Sequence, residues 1–326
     1  LDGGIDAGLW LWVAFNATIF GLLALDLGVF HRKAHAVTVR EAAAWTITWV
    51  SLAMLFNAGI FAFAGTEPGV AFLTGYLIEL SLSVDNIFVF VLLFTYFAVP
   101  PAYQHRVLFW GIVGVIVMRG ALIAAGSVLI HQLHWVIYIF GVILIFSAWR
   151  MATSGAGHQD PSTNPAVRLI RRFFPVTETF EGQRFFVRRN GVLMATPLLV
   201  VLGAVETTDL VFAIDSIPAI FAITDDPFLV YSSNLCAVMG LRSMYFLLAG
   251  VVGRFHYLQI GLSVVLAFVG TKMLLSEVYK IPVEASLVVI ASVISIAIVA
   301  SLLRPKSAEL EHASEAVRPP DESAVA

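Results

Sequence analysis

The sequence predicts an all-α polytopic membrane protein with about nine transmembrane helices, two inverted three-helix repeats forming its core. Three observations carry that prediction. Hydrophobic residues make up 59% of the 326 and charged residues only 13%, against about 25% charged in an ordinary soluble domain. The mean hydropathy is +0.90, and the apolar residues gather into runs of roughly 20, the length that spans a hydrocarbon core as helix. A membrane barrel would instead show alternating segments of about ten residues. Finally, acids and arginines recur at matching places inside those runs.

Nine runs follow one another: about 9–30, 42–64, 70–97, 107–130, 134–152, 192–222, 228–252, 257–276 and 283–303. The first is not a secretory signal, because its flank "LDGGIDAG" is acidic and "HRKAH" comes after it. Segment 153–191 holds "GAGHQDPSTNP" and then "RLIRRFFPV". It is either a basic, aromatic stretch lying on the lipid surface or a loop whose arginines only fix topology. The tail 307–326 is polar and acidic and reads as disordered. The chain thus divides into two N-terminal helices (1–69), a first three-helix unit (70–152), the basic loop (153–191), a second unit (192–280), a last helix (281–306) and the tail.

Orientation follows from Lys and Arg. Arg32, Lys33, Arg40, Arg106, six arginines of the 153–191 loop, Arg254, Arg304 and Lys306 fall on one side; only Lys280 falls on the other. That places the N-terminus outside and the C-terminus in the cytoplasm. The net charge of −3 speaks against a nucleic-acid partner, and the single Cys236 excludes an intrachain disulfide.

The stretch "GYLIELSLSVDNIFVFVLLF" (75–94) is nearly all apolar yet carries Glu79 and Asp85. Beside it stands "VVLGAVETTDLVFAIDSIPAIFA" (200–222). Aligning Asp85-Asn86-Ile87 with Asp215-Ser216-Ile217 sets Glu79 opposite Asp209. In the following runs Arg119 matches Arg242, and Arg150 matches Lys272. Runs three to five and six to eight therefore read as two copies of one unit, and an odd number of spans inverts one against the other. Secondary transporters use this plan, with the site near the midplane between the copies.

At 100° per residue Glu79, Ser83 and Asn86 share one helix face while Ser81 and Asp85 lie nearly opposite; Glu206 and Asp209 share a face that Asp215 does not. Either protein covers both faces or the helices unwind between the acids, a break that Pro218 would favour. Glu79, Asp85, Glu206, Asp209 and Asp215 against Arg119 and Arg242 leave three uncompensated negative charges, or two if Lys272 reaches inward. In a low dielectric some carboxylates must be protonated, or a cation must sit among them. Oxygen ligands, with Asn86, Ser83 and Ser216 in support, suit Mg²⁺, Ca²⁺ or Mn²⁺. The plainer alternative is a structural ion-pair lattice. Asp26 reads as a cap or a partner of Arg32, the histidines sit at span ends, and Asp225 and Asp226 most simply end a helix.

The motifs "ELSLSVDNIFVF", "ETTDLVFAIDSIPAIFAIT", "FFVRRNG" followed by "ATPL", and "GLRSMYFLLAG" resemble the TerC family of integral membrane proteins. The likeness runs from "LALDLGVFHRKAH" to about Leu303. Members of that family are associated with tellurite resistance, several export manganese, and plastid members act in membrane-protein insertion. The resemblance implies Glu79, Asp85, Glu206, Asp209 and Asp215 as metal-site acids. Tellurite itself is an anion that an acidic site would repel.

Three functions compete. The leading one is export of a divalent cation, Mn²⁺ foremost, with protons moving inward, no prosthetic group and no enzyme activity. The second is a membrane-protein assembly or insertion factor whose charged layer only docks helices. The third is an intramembrane aspartyl protease using Asp85 and Asp215, but no "GxGD" motif flanks either residue.

Overall fold

The computed structural model describes residues 8–25, 37–133, 135–153, 164–189, 191–249, 257–276, 278–279 and 281–303, without the side chains of Asp85, Phe88 and His131. Asp26, Arg32, Lys33, Arg254, Lys280, Arg304 and the 307–326 tail lie outside the described residues. Ten helices and one small hairpin make up the order α1 (Leu9–Leu25), α2 (Val39–Phe63), α3 (Thr66–Tyr96), α4 (Pro101–Gln132), α5 (Val136–Thr153), α6 (Pro165–Phe173), β1 (Phe186–Arg189), β2 (Val192–Ala195), α7 (Pro197–Phe221), α8 (Pro227–Leu248), α9 (Leu258–Leu274) and α10 (Val283–Leu303). The fold is all-α and membrane-spanning in character. Six helices (α2, α3, α4, α5, α7 and α10) are long and apolar enough to cross a bilayer, and α1 and α9 are apolar but shorter.

Helix starts follow local chemistry. Proline opens α4, α6, α7 and α8, where its missing N–H costs nothing. Asp226 accepts from the backbone N–H of Phe228 at 2.8 Å and of Leu229 at 3.2 Å. It therefore starts α8 rather than ending a helix, as the sequence reading had it. Asn164 caps α6 and Thr38 caps α2 in the same way.

The basic loop has structure of its own. Helix α6 buries Val167 and lays Ile170 over Gly203 of α7, leaving Arg168, Arg171 and Arg172 exposed beside Leu169 and Phe173. Strand β1 pairs antiparallel with β2, Phe186 opposite Ala195, and Gly191 turns the chain at φ 82°. The sixth apolar run therefore begins as a strand, and its helix starts only at Pro197.

The long helices pair as α3 with α8, α4 with α7, α5 with α9 and α3 with α7, while α2 packs on α8, and α10 on α3 and α9. Helix α1 adds Phe15 and Trp12 to an aromatic cluster with Phe56, Phe228 and Tyr231. Both acidic helices are continuous, α7 passing through Pro218 without a break. They run antiparallel side by side, with Gly75 against Ile220 and Asn86 bonded to Asp209. Helices α5 and α9 approach closely, Gly141 and Gly270 meeting backbone to backbone. Small residues at such crossings let dispersion act over short distances, since lipid offers no hydrophobic drive between helices.

That crossing is testable. A Cβ on Gly270 would lie 2.9 Å from Gly141 O and 3.0 Å from the Ile145 side chain. Gly270→Val should cost about 1–3 kcal/mol, the usual penalty of overpacking, seen as a lowered melting temperature in detergent. Gly21→Ala, with nothing within 4 Å of its Cβ, should leave the melt unchanged.

Candidate functional site

The centre of the bundle is a guanidinium. Arg119 on α4 is fully buried, and its Nε and Nη2 donate to Asp209 Oδ2 at 3.1 Å and Oδ1 at 3.0 Å. This is the bidentate fork that gives an arginine–carboxylate pair its strength and direction. Its Nη1 pairs with Glu79 Oε1 on α3 and also reaches Asn234 Oδ1 on α8 at 3.3 Å. Asn234 Nδ2 in turn donates to Glu79 Oε2 at 2.9 Å, and Asn86 Nδ2 to Asp209 Oδ1 at 3.3 Å. One cation thus ties α3, α4, α7 and α8 together. Glu79, Asp209, Asn86 and Asn234 are each no more than 1% exposed.

The two acidic faces are alike. On α3 Glu79, Ser83 and Asn86 stand at i, i+4 and i+7; on α7 Asp209, Ala213 and Ser216 do the same, and all six are buried. Asn86 meets the acid of α7, and Ser216 holds the matching place on α7. Among the described residues Ser83 Oγ, Asn86 Oδ1 and Ser216 Oγ are buried oxygens with no hydrogen-bond partner. Such groups are costly unless something satisfies them.

The structure brings some of the sequence-predicted residues together and separates others. Glu79, Asp209, Arg119, Asn86 and Ser216 converge. Glu206 stands one turn before Asp209, its carboxylate lodged where Gly114 of α4 leaves room and its Oε2 buried without a partner. Asp215 faces α5 and accepts from Ser147 Oγ at 2.6 Å, away from the Arg119 fork. Arg242 is buried in α8. Lys272 points to α10 and donates to Ser286 Oγ at 2.9 Å, so its placement is not that of a counter-ion to the acids. Among the described residues no three His, Cys, Asp or Glu side chains form a ready metal cluster. Asp85 is on α3, but its side chain lies outside the described residues.

Three contributors escaped the sequence reading: Asn234, Gly114 and Ser147. Asn234 could have been found, since "SSN" at 232–234 puts three polar residues inside an apolar helix.

Residues 64–309 match the model of the integral membrane protein TerC family. The chain belongs to that family. TerC relatives extend the match almost end to end. The chain is 51% identical over 298 residues to the uncharacterized membrane protein STKORF319 of Myxococcus xanthus, covering 91% of this chain and 93% of that one. It is 48% identical over 298 residues to a Salmonella typhi protein named as a candidate membrane-bound redox modulator, Alx, covering 89% and 92%. A Rickettsia bellii membrane protein is 41% identical over 295 residues, covering 90% and 97%. No solved structure matches the chain significantly.

The fork's partners differ in what their loss should do. Asn234→Leu removes Glu79's second donor and one of Arg119's acceptors, and should cost about 1–3 kcal/mol as buried polar groups go unmet. Ser233→Ala removes only bonds to its own helix, from Oγ to Leu229 O and Val230 O, and should leave thermal unfolding in detergent within about 0.5 kcal/mol of the parent.

Proposed function

We propose that the protein exports a divalent metal cation, Mn²⁺ foremost, through the layer where α3 and α7 cross, in exchange for protons. The observation that carries this reading is the surplus of buried oxygen. Glu79 and Asp209 share one arginine, Glu206 has an unmatched buried oxygen, and three neutral oxygens beside the two helices have no partner. A structural lattice would be expected to satisfy its own members, because an incomplete buried polar network costs more than an apolar one. Hard oxygen donors of this kind suit Mn²⁺, Mg²⁺ or Ca²⁺ rather than thiophilic metals.

Packing supports the inverted-repeat reading. The pairings α3–α8 and α4–α7 exchange when α3, α4 and α5 trade places with α7, α8 and α9, while α3–α7 and α5–α9 map onto themselves. The antiparallel register of α3 and α7 is what an axis in the membrane plane produces. On this reading the nine helices other than α6 all span the bacterial inner membrane, the shorter α1 and α9 included, with the N-terminus outside and the substrate site near the midplane. Glu206 is the acid best placed to carry the exchanged proton, since among the described residues no Lys or Arg forms an ion pair with it. Arg119 commits Asp209 to a fork and Asp215 bonds Ser147, an arrangement that suits ion handling better than a protease dyad.

The name of the Salmonella relative points to redox. Cys236 is the one cysteine and lies inside the bundle, so no dithiol within the chain can exchange electrons. Export of a redox-active cation would alter cellular redox balance without any thiol chemistry. The assembly-factor reading has no comparable observation here.

Proteoliposomes with Mn²⁺ on one side and a pH-sensitive dye inside provide the test. The wild type should move Mn²⁺ against protons and respond to an imposed pH gradient. Asp209→Asn and Glu206→Gln should each reduce that flux about tenfold or more while the protein stays in the membrane. Unchanged flux in both would favour a docking role for the charged layer.

A further inference from the structure

We propose that Arg119 is the resident cation of this site: its guanidinium occupies the place a divalent substrate takes, and the two exclude one another. The inference rests on the cation-transport reading above. All four carboxylate oxygens of Glu79 and Asp209 already accept, from Arg119, Asn234 or Asn86. The guanidinium is a planar fork with donors in fixed directions. It serves the two carboxylates and Asn234, while Asn86 Oδ1 and Ser216 Oγ, each on a residue 1% exposed, have no hydrogen-bond partner among the described residues. A hard divalent ion has no such plane and gathers about six oxygens around itself at about 2.0–2.6 Å. The unmatched oxygens are those a spherical cation would take and a guanidinium cannot.

Charge points the same way. With Arg119 in place, Glu79 and Asp209 keep one net negative charge; with a divalent ion in its place they are neutral. With Glu206 protonated, both cations together would leave a buried excess of positive charge, at separations where repulsion in a low dielectric is severe. A monovalent ion gains nothing over the arginine already there. Exclusion of one cation by the other therefore selects for divalent substrates, and it spares the empty site a pair of bare buried carboxylates.

There is room for the displaced side chain. Next to Arg119, Gly120 opens on a cavity of about 360 Å³ that Ile123, one turn along α4 from Arg119, also lines. Its far wall carries Trp12, Asn16 and Tyr231, the tyrosine hydroxyl donating to Asn16 Oδ1 at 2.7 Å. Aromatic faces and an amide are suitable company for a guanidinium. Arg119 does not itself line this cavity, so release of the carboxylates into it would take a rotation of the Arg119 side chain around α4.

The experiment uses the full chain in detergent, with Mn²⁺ binding read from the loss of the free aquo-ion EPR signal, and flux measured in proteoliposomes. Arg119→Gln should bind Mn²⁺ about tenfold tighter or more, melt lower in chelator, recover on Mn²⁺ addition, and turn over slowly because nothing displaces the ion. Arg119→Lys keeps the charge but loses the fork, and should fall between; it decides the matter if the glutamine variant does not fold. Gly120→Leu, which fills the cavity, should weaken Mn²⁺ binding and slow flux. A wild type that transports Mn²⁺ while both Arg119 variants bind it no tighter would make Arg119 a structural tie and overturn the inference. A wild type that moves no Mn²⁺ would remove the transport reading and this inference with it.

Discussion

Everything in the middle of this molecule is arranged around one buried cation. Arg119 carries its charge at zero exposure, and only the carboxylates of Glu79 and Asp209 make that tolerable. Removing water from such a group costs several kcal/mol, so the pair is a constraint before it is a gain. The constraint reaches outward. Because the carboxylates come from α3 and α7 and the third partner, Asn234, from α8, four helices must keep their relative height for the fork to close. Small residues provide that closeness: Gly114 admits Glu206, and Gly75 lets α3 approach Ser233 of α8 and Ile220 of α7.

Apolar packing alone could not fix that height. In lipid the helices gain little from burying leucine against leucine, and sliding by one turn would exchange one set of contacts for another of similar worth. The charged layer breaks the degeneracy. A slip of α3 or α7 would leave an ion unpaired in a low dielectric, and breaking a buried pair costs about 3–5 kcal/mol. The peripheral helices lack such a register mark. Lys272 with Ser286 provides a milder one between α9 and α10, and Asn16 with Tyr231 another between α1 and α8.

Much of this was legible in the sequence, and what was not has physical reasons. Apolar runs predicted the helices because bilayer length and composition leave few alternatives, and every run contains a helix of the structure. The matched acids and arginines pointed to Glu79, Asp209 and Arg119, since a charge inside such a run needs a partner close by. What periodicity could not decide was which of two faces each acid uses. Asp209 turns inward to Arg119 and Asp215 turns to Ser147 on α5, with α7 intact between them. Pro218 did not interrupt the helix, because it lies near the C-terminal end of α7, where few hydrogen bonds are left to lose. Lys272 matched Arg150 in the alignment, yet it found a serine on a helix outside the repeats. The hairpin was hidden by its own hydrophobicity: Val192–Ala195 reads as the start of a span until the Asn190-Gly191 pair before it is given weight.

The acids of this layer fall into two kinds, and the difference bears on how charge could pass through. Glu79 and Asp209 are held, each by several donors on different helices, so neither can change its charge without loosening the bundle. Glu206 is not held. It sits on the same face of α7, one turn away, with a buried oxygen that nothing in the structure satisfies. Protonation of that oxygen would leave the hydrogen bonds of the fork in place. The residue that ties the helices together and the residue that can change state are therefore different side chains on one helix. A held and an unheld carboxylate thus stand one turn apart in a medium where an unpaired buried charge costs several kcal/mol.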